Sequence, residues 1–510
     1  MNKPQSGRLI YATIFLLSLI EFLQSGMTAF AAAPIMGETG IGPEEFSLIA
    51  AVYASLAIVA ISMHRWLVER IGGRRFIQAA AAVSMLGAVL CAMGQDFTGF
   101  LAGRAVMALG GGVFFTACRM IIHHRLAGPQ RFAGIRCLAS GLAIGTSAAP
   151  WLASLAVSND TWSAMYWGIA ALAALIFVLA GFTLDAGPVA VGGAAQSGVQ
   201  WRQQLLLAIS SFLLLYALQR FYYDFGSVAL GDALVLAGAA VGLLVYLRQQ
   251  HRATLPLLRV REMLRARYVA GLALFCFAYV MLGANNAVIA AMLQGTLGFA
   301  WSTVGQIEAI GLGAALLTWL VMSRVLPRRP APRKFLVVGF LSLALFGALM
   351  TRINTGANLW SNVLPALAFN SIFLLTVLPV TAMQTFREME RDESLFSNAQ
   401  QLKNMMSQAA IAIGITFATV GQQWRTALHY SGLSAQIDAS NPIYNATIQQ
   451  LQQALESTMT PAESAKVALA RVAQLLAQQS AMLANIDHFG LIAVLGVLGI
   501  GVMMVQKVFR

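Results

Sequence analysis

Residues 46–93 read FSLIAAVYASLAIVAISMHRWLVERIGGRRFIQAAAAVSMLGAVLCAM, two apolar runs joined by a short loop that holds four arginines. A helix crosses the hydrocarbon of a bilayer with about 20 apolar residues, and each run is close to that length. Basic residues between two such runs are typical of a cytoplasmic connection. The stretch therefore predicts a pair of membrane-spanning helices with its loop on the cytoplasmic side.

The composition of the whole chain extends this interpretation. Of the 510 residues, 58% are hydrophobic and 10% are charged, whereas soluble domains carry about 25% charged residues. The sequence predicts an all-α integral membrane protein. The formal charge of +13 comes from short clusters between apolar runs, so we expect no nucleic-acid partner. The four cysteines lack the spacing of metal ligands, and no metal site is expected.

Fourteen apolar runs are long enough to cross the bilayer. We number them as spans 1–14, at residues 9–33, 46–64, 76–93, 97–120, 134–156, 162–183, 204–219, 227–247, 268–293, 303–323, 335–351, 358–383, 396–420 and 488–506.

The positions of lysine and arginine orient the chain. With a cytoplasmic N-terminus, 25 of the 33 fall in cytoplasmic segments, five fall outside and three lie within spans. This asymmetry favours a topology with both termini in the cytoplasm.

One outer segment, 422–487, is large and rich in glutamine. Asn441-Pro442 predicts a helix start, and Thr460-Pro461-Ala462-Glu463 fits a capping box with proline at the first helical position. Two helices are expected there. They form either a solvated cap on the outer face or a docking surface for a partner protein.

Nucleotide and catalytic motifs are absent from the sequence. It has no P-loop, no H-E-x-x-H, no C-x-x-C and no G-x-S-x-G. We expect no cofactor and no enzymatic activity. A membrane protein of this kind with charges inside its spans is most simply a channel or a secondary transporter.

A charge at mid-bilayer is costly unless it is paired or hydrated. Glu21 on span 1 is about 18 Å from the cytoplasmic end, at about 1.5 Å per residue. Arg104 on span 4 lies at a similar depth, so the two can pair. Such a carboxylate can act as a proton switch, or the pair can be a static contact that fixes helix packing.

The other polar residues inside spans carry weaker signals. Glu308 on span 10 lies near the outer face, as either a functional carboxylate or a hydrated rim residue. Lys403 and Arg119 are expected to reach the cytoplasmic surface with their long side chains. Five uncharged side chains are candidates to line a cavity: Gln24, Ser25, Asn285, Asn286 and Asn370.

Three segments resemble motifs of the major facilitator superfamily. The loop at 65–75 is similar to G-x-L-a-D-r-x-G-r-k, with Glu69, Arg70, Gly72 and Arg74 at motif positions. Residues 103–110 are similar to g-R-x-x-q-G-x-g, with Arg104 as the arginine. Residues 145–154 resemble the antiporter motif that ends in G-P-x-x-G-G, with Gly145 and Pro150 kept and small residues at the other glycines.

Together with fourteen spans and the outer segment, these motifs resemble the fourteen-helix drug:proton antiporters of the EmrB/QacA type. The resemblance implies two six-helix halves, 1–184 and 268–510, with two inserted helices in the linker 185–267. The halves would rock around a midplane site. The family's span-1 aspartate aligns with Ser25, and Glu21, one turn earlier, is the candidate substitute.

On this basis we expect a proton-driven exporter of small amphipathic or aromatic compounds in a bacterial inner membrane, powered by the proton gradient alone. Phe30 and Trp151 are expected to contact substrate in the cavity. A periplasmic adaptor protein and an outer-membrane channel are the expected partners, with 422–487 as the dock. A proton-coupled uptake symporter is the alternative, and a non-transporting receptor or scaffold is a third hypothesis.

Overall fold

The apolar runs of the sequence form long α-helices in the computed structural model of the chain. The structure describes residues 5–184, 198–223, 229–328, 331–389, 392–437, 440–456 and 459–509, and within these ranges it contains no β-strand. Lys3, Arg329, Arg391 and Arg510, which we assigned to the cytoplasmic side, lie outside the described residues, as does the start of the predicted linker at 185–197.

The described helices, in chain order, are α1 (Gln5–Phe30), α2 (Ala32–Thr39), α3 (Pro43–Ile71), α4 (Gly73–Met93), α5 (Phe97–Gly111), α6 (Phe114–Arg125), α7 (Pro129–Ser158), α8 (Ala164–Thr183), α9 (Trp201–Tyr223), α10 (Ala229–Arg252), α11 (Val260–Met263), α12 (Ala266–Ala291), α13 (Trp301–Arg328), α14 (Pro332–Met350), α15 (Leu364–Thr385), α16 (Glu393–Ser434), α17 (Pro442–Leu455) and α18 (Pro461–Val505). Two short π-helical turns, Met292–Thr296 and Leu359–Val363, adjoin α12 and α15.

The predicted fold class is confirmed. Among the described residues, 13 helical segments are long and apolar enough to cross a membrane. The remaining predicted span, 396–420, lies within α16, whose first half carries many polar residues. Span 4 is not one continuous helix, because it is interrupted between α5 and α6 at Gly112 and Val113. A β-carbon at Gly110 would lie 2.4 Å from the carbonyl oxygen of Ala80, so this turn packs directly on the α4 backbone.

The outer segment is built differently from our expectation. The two predicted helix starts are confirmed, by the Asn441 side chain at the start of α17 and by the capping box of Thr460 and Glu463 at the start of α18. However, α18 is a single helix of 45 residues that runs on into span 14. Similarly, α16 is a single helix of 42 residues that contains span 13 and continues past its end at residue 420 to Ser434. At about 1.5 Å per residue each is roughly twice the ~30 Å hydrocarbon thickness. No proline or glycine lies between Pro461 and Gly490 to end the helix.

Helix packing follows one scheme twice. In the first set α1 packs on α7, and α4 packs on both α5 and α8; in the second α12 packs on α16, and α14 packs on both α15 and α18. The first set also contains α3, which packs on α5, and α6, which packs on α1, and the second also contains α13, which packs on α15. The two sets meet where α3 contacts α16 and where α7 contacts α13. The domain boundaries at 184 and 267 stay a prediction.

Glycines allow the helix backbones to approach closely in both sets. A β-carbon at Gly141 of α7 would lie 2.5 Å from the carbonyl oxygen of Phe15 on α1. A β-carbon at Gly283 of α12 would lie 2.3 Å from the carbonyl oxygen of Ile411 on α16. Neither crossing could accept a side chain without a backbone shift, as is typical of small residues between membrane helices.

Arg259 ties the predicted linker to the start of α16. Its guanidinium lies 3.0 Å from the carboxylate of Asp392, which also caps α16 by accepting a hydrogen bond of 3.0 Å from the backbone N–H of Leu395. Partial burial raises the pKa of Asp392, but the hydrogen bonds from Leu395 and Ser394 and the charge of Arg259 outweigh it and hold that pKa below its usual value.

Replacing this cap should lower stability measurably. We expect Asp392→Ala to cost about 1 kcal/mol, the usual cost of losing a side-chain helix cap, and Asp392→Asn to cost less because the amide oxygen still caps. The ionised carboxylate stabilises the fold above its ordinary pKa, and this contribution is lost as pH falls through the lower native value. The Tm gap between wild type and Asp392→Ala should therefore shrink at acidic pH, and a gap that widens there would contradict the assignment.

Candidate functional site

One group of four charged side chains lies inside the helix bundle and consists of Glu21 on α1, Arg104 on α5, Arg119 on α6 and Lys403 on α16. The exposed fraction is 8% for Glu21, 6% for Arg104 and 3% for Lys403, and Arg119 is half-buried. Three are cations and one is an anion. This imbalance makes the surroundings of each charge decisive.

Arg104 is held by uncharged groups. Its guanidinium lies over the ring of Tyr53 on α3, 4.1 Å from the ring centroid, and donates to the Thr28 hydroxyl at 3.4 Å. The Thr28 hydroxyl also lies 3.0 Å from that of Tyr166 on α8. The site of Arg104 is therefore a cation–π contact within a hydroxyl network.

The pairing of Glu21 with Arg104 that we considered possible does not occur. The two form no salt bridge in the described part of the chain, although both are buried. Thr28, which holds Arg104, is seven residues beyond Glu21, which is roughly 10 Å along the helix. Lying at a similar depth in the bundle is not sufficient for Glu21 and Arg104 to pair, because the two side chains contact different groups.

Glu21 has Lys403 as its charged neighbour. Phe22, the residue after Glu21, packs on the Phe115 ring, and the Lys403 ammonium lies 5.0 Å from the centroid of that same ring. The Oε2 atom of Glu21 is buried and has no hydrogen-bond partner. A buried carboxylate that is neither hydrogen-bonded at this oxygen nor in a close ion pair can gain or lose a proton without breaking a structural contact.

Lys403 does not extend to the membrane surface, and that expectation is wrong. Its ammonium lies 5.0 Å from the ring centroid of Phe115, 5.3 Å from that of Phe275 and 5.5 Å from that of Tyr279. It is also 3.5 Å from the Tyr279 hydroxyl. Three aromatic faces retain the cation inside the bundle. Arg119 also stays near this group, 5.9 Å over the ring of Phe115.

Glu308 lies in a separate site. It borders a cavity of about 20 Å³, enough for a single water molecule, together with Asn286 and Asn370. The Asn285 amide donates to the side-chain oxygen of Asn370 at 2.9 Å. The Oε1 atom of Glu308 is buried without a hydrogen-bond partner. The structure thus brings Glu308 and these asparagines together, apart from the four-charge group.

The remaining candidates for cavity lining are dispersed. Gln24 donates to the Tyr53 hydroxyl at 2.9 Å, while Ser25 is exposed and donates to the Glu21 carbonyl. Phe30 packs edge-on against Trp301 of α13, with ring centroids 5.5 Å apart. Trp151, 45% exposed, lines an open groove of about 340 Å³ between α7 and α13.

The loop motif at 65–75 forms the turn between α3 and α4. Glu69 pairs with Arg65 at 2.6 Å, and both side chains are buried. Arg70 lies over the ring of Trp66, and the Arg74 guanidinium lies beside Gly181 of α8. Gly72 has φ of +83°, a backbone conformation that favours glycine.

The motif at 145–154 lies where α7 meets two other helices. A β-carbon at Gly145 would lie 2.7 Å from the carbonyl oxygen of Leu19 on α1. Farther along, Gly305 of α13 fits against the Pro150 carbonyl and the Ser154 side chain, where a β-carbon would lie 2.7 Å and 2.5 Å from them. This segment therefore joins the two packing sets.

Comparison with known proteins agrees with this architecture. The model of the Major Facilitator Superfamily matches residues 14–415. The chain belongs to the major facilitator superfamily. It is thus a multi-pass membrane transporter, and the family resemblance read from the sequence motifs is confirmed.

Relatives in the superfamily are distant. The uncharacterized MFS-type transporter YhcA of Bacillus subtilis is 20% identical, with 86% of this chain and 80% of that protein covered. The putative multidrug resistance protein MdtD of Escherichia fergusonii is 25% identical, over 78% of this chain and 83% of that protein.

Solved structures are similar in fold. The POT family transporter PepTSo has a TM-score of 0.56 at 13% identity, covering 99% of this chain and 100% of that one. The human organic anion transporter MFSD10 has a TM-score of 0.54 at 14% identity, covering 82% and 94%. These likenesses concern the fold alone.

Within this major facilitator fold, contacts between the two packing sets occur at both ends. Toward the end of the bundle that carries the α3–α4 loop, Gln401 donates to the Ile61 carbonyl at 3.0 Å and Asn404 donates to the Thr116 hydroxyl at 2.7 Å. Toward the opposite end, α7 meets α13 and Phe30 meets Trp301. The two helix sets therefore contact each other at both ends of the bundle.

Sequence reasoning missed the inward orientation of Lys403, yet a signal was present. Polar residues recur in pairs along α16, at 397–398, 400–401, 403–404 and 407–408. This spacing of three to four residues places them on one helix face. A polar face on a membrane helix points to the protein interior, so Lys403 could have been assigned there.

Proposed function

We propose that this transporter is a proton-coupled antiporter that exports small amphipathic or aromatic compounds by alternating access, with Glu21 as its proton-carrying group. The observation that carries the proposal is the environment of Glu21. It is a buried carboxylate whose Oε2 lacks a hydrogen bond. The adjacent Phe22 packs on the Phe115 ring, over which the ammonium of Lys403, from the other helix set, also lies.

Such a carboxylate responds to conformation. Burial favours the neutral form and a nearby cation favours the ionised form. When helices of the two sets move relative to each other, both terms change together. The proton affinity of Glu21 is thereby coupled to which side of the membrane is open, which is the requirement for proton-driven transport.

Two features support export rather than uptake. One relative bears the name of a putative multidrug resistance protein. The segment that resembles the antiporter motif packs Pro150 and Ser154 directly on Gly305.

Aromatic side chains around the charged group, including Phe22, which packs edge-on against Phe115 at 5.4 Å, suit apolar substrates. Uptake by proton symport is the second candidate.

The direction of coupling distinguishes these candidates. In proteoliposomes with an imposed pH gradient, an antiporter moves a fluorescent aromatic substrate against the direction of proton flow. A symporter moves it with the protons. Vesicles that are acidic inside and hold equal dye concentrations on both sides at the start should therefore accumulate the dye, and loss of dye from the same vesicles would favour the symporter.

Glu308 is the other candidate proton site. It is half-buried, its Oε1 lacks a hydrogen bond, and no charged group among the described residues forms a salt bridge with it. We assign it second place because its neighbours Asn286 and Asn370 are neutral. Nothing charged there would change its proton affinity when helices move.

We also propose that the protein resides in a bacterial inner membrane with both termini in the cytoplasm. It uses the proton gradient and no cofactor. The outer ends of α16, α17 and α18, here named the outer helices, would contact a periplasmic adaptor that leads to an outer-membrane channel. Exposed apolar side chains support this assignment, with exposed fractions of 75% for Ile443 and 51% for Leu469.

Aspartates introduced on this surface should block export from the cell while leaving transport by the purified protein intact. The double variant Ile443→Asp/Leu469→Asp should transport normally in proteoliposomes and fail to protect cells from an exported compound. The matched control is Gln450→Asp, an exposed polar position on α17, which should protect cells. If the double variant protects cells as well as wild type does, the adaptor contact is elsewhere or does not exist.

A further inference from the structure

Lys403 lies where the charged group meets the cytoplasmic closure. Its neighbours along α16, Gln401 and Asn404, are the residues that bond across to Ile61 of α3 and Thr116 of α6. Less than one helical turn therefore carries both the cation that faces Glu21 and two hydrogen bonds that hold the helix sets together. A force on Lys403 is transmitted directly to these contacts.

The aromatic groups around Lys403 also come from both sets. Phe115 belongs to α6, whereas Phe275 and Tyr279 belong to α12. The ammonium thus lies between the sets. Its best polar contact is the 3.5 Å approach to the Tyr279 hydroxyl, and no carboxylate of the described residues is within salt-bridge distance.

Charge balance leaves Glu21 as the stabilising partner of Lys403. The three cation–π contacts offset only part of the cost of burying an unpaired ammonium. The Arg119 guanidinium and the Lys403 ammonium lie over the same Phe115 ring, so their like charges repel, and an ionised Glu21 beside Phe22 offsets this repulsion. When Glu21 is neutral, the repulsion from Arg119 has no opposing carboxylate.

Several ionisable side chains of the described residues lie around Glu21. The neutral ones are Tyr53 of α3, Cys118 of α6, Tyr166 of α8 and Tyr279 of α12, since tyrosine and cysteine are neutral near pH 7 by their ordinary chemistry. Of the cations, Arg104 is held by Tyr53 and Thr28, and Arg119 belongs to the same helix set as Glu21. Lys403 is the cation from the other set, so a change in the charge of Glu21 acts between the sets through α16.

We propose that Lys403 is a positioning residue that couples the proton on Glu21 to the cytoplasmic closure. Ionised Glu21 holds Lys403 and keeps α16 bonded to α3 and α6. Protonated Glu21 releases Lys403, the contacts of Gln401 and Asn404 weaken, and the cytoplasmic side opens. This deepens the proposed function and rests on it, because an exporter needs its protonated form to open toward the cytoplasm, where it releases the proton and loads substrate.

The distance between two spin labels tests the proposal. Labels at Ala127 and Arg387, both exposed in cytoplasmic loops, are attached in full-length protein with the four native cysteines replaced. In wild type we expect the long-distance population to grow as pH falls. Glu21→Gln should be open at every pH. Lys403→Gln should lose the pH response, and Lys403→Arg should recover part of it.

Controls separate this role from a structural one and from the proposed function. Lys466→Gln removes an exposed lysine on the outer part of α18 and should leave the pH response intact. If Lys403→Gln keeps the wild-type pH response while Glu21→Gln abolishes it, the coupling role of Lys403 is wrong and the proton site stands. If neither variant changes the response, both the inference and the assignment of Glu21 are wrong. A Lys403→Gln protein that is poorly folded is recognised by its elution profile. Lys403→Met, which removes the charge but keeps an apolar chain among the three rings, then decides: loss of the pH response supports the coupling role, and a wild-type response overturns it.

Discussion

Glu21→Gln should abolish proton-driven accumulation of substrate while leaving substrate exchange intact. Glutamine has nearly the shape of the protonated carboxyl, so the helix packing around position 21 should be retained. It cannot release a proton, and the free energy of the gradient is no longer coupled to the substrate. Since coupling free energies between two sites are typically about 1–3 kcal/mol, we expect accumulation to fall by about tenfold or more.

The measurement compares two modes in the same proteoliposomes. Accumulation driven by a pH gradient reports coupling, and exchange of labelled for unlabelled substrate at equal pH reports binding and alternating access. Glu308→Gln is the matched control, because it removes the other buried, unpaired carboxylate oxygen. Loss of accumulation in Glu308→Gln, with wild-type behaviour in Glu21→Gln, would reverse the two assignments.

Gly305→Ala should impair transport by wedging α13 away from α7. The new methyl group would lie 2.5 Å from the Ser154 side chain and 2.7 Å from the Pro150 carbonyl oxygen, well inside contact distance. Overpacking of this kind costs about 1–3 kcal/mol. A cost of about 2 kcal/mol, borne only by conformations in which these helices touch, shifts their population by roughly 30-fold.

A glycine eight residues farther along the same helix provides the control. A β-carbon at Gly313 would meet nothing within 4 Å, so Gly313→Ala should transport as wild type does. Cysteine labelling at the outer end of α13 should increase in Gly305→Ala, because the outer contact with α7 is opened. Equal transport and equal labelling in both alanine variants would show that this contact is not part of the transport cycle.

The fold was predictable because its main signals are local. Apolar runs of bilayer length and arginine clusters such as that at 65–75 depend on residues close together in sequence, and bilayer thickness fixes the helix length. The helix starts at Pro442 and Pro461 were predictable from capping residues for the same reason. The interruption at Gly112 was not, since it depends on how closely α5 approaches α4.

The site was less predictable than the fold. Depth along a helix follows from counting residues, and it suggested that Glu21 and Arg104 could pair. Direction around the helix axis and the choice of neighbouring helix depend on tertiary packing, and these place Arg104 on Tyr53 instead. Lys403 was assigned to the surface because a long side chain near a helix end usually extends there. Three aromatic rings from distant parts of the chain override that tendency.

Proton release on substrate binding tests the central claim most directly. Purified wild-type protein in weakly buffered detergent solution, with a pH indicator, is mixed with aromatic amphipathic compounds, beside Glu21→Gln and Glu308→Gln. We predict that a bound substrate releases protons from wild type and from Glu308→Gln, and none from Glu21→Gln. Release that persists in Glu21→Gln, or substrate binding without release in wild type, would contradict antiport through Glu21.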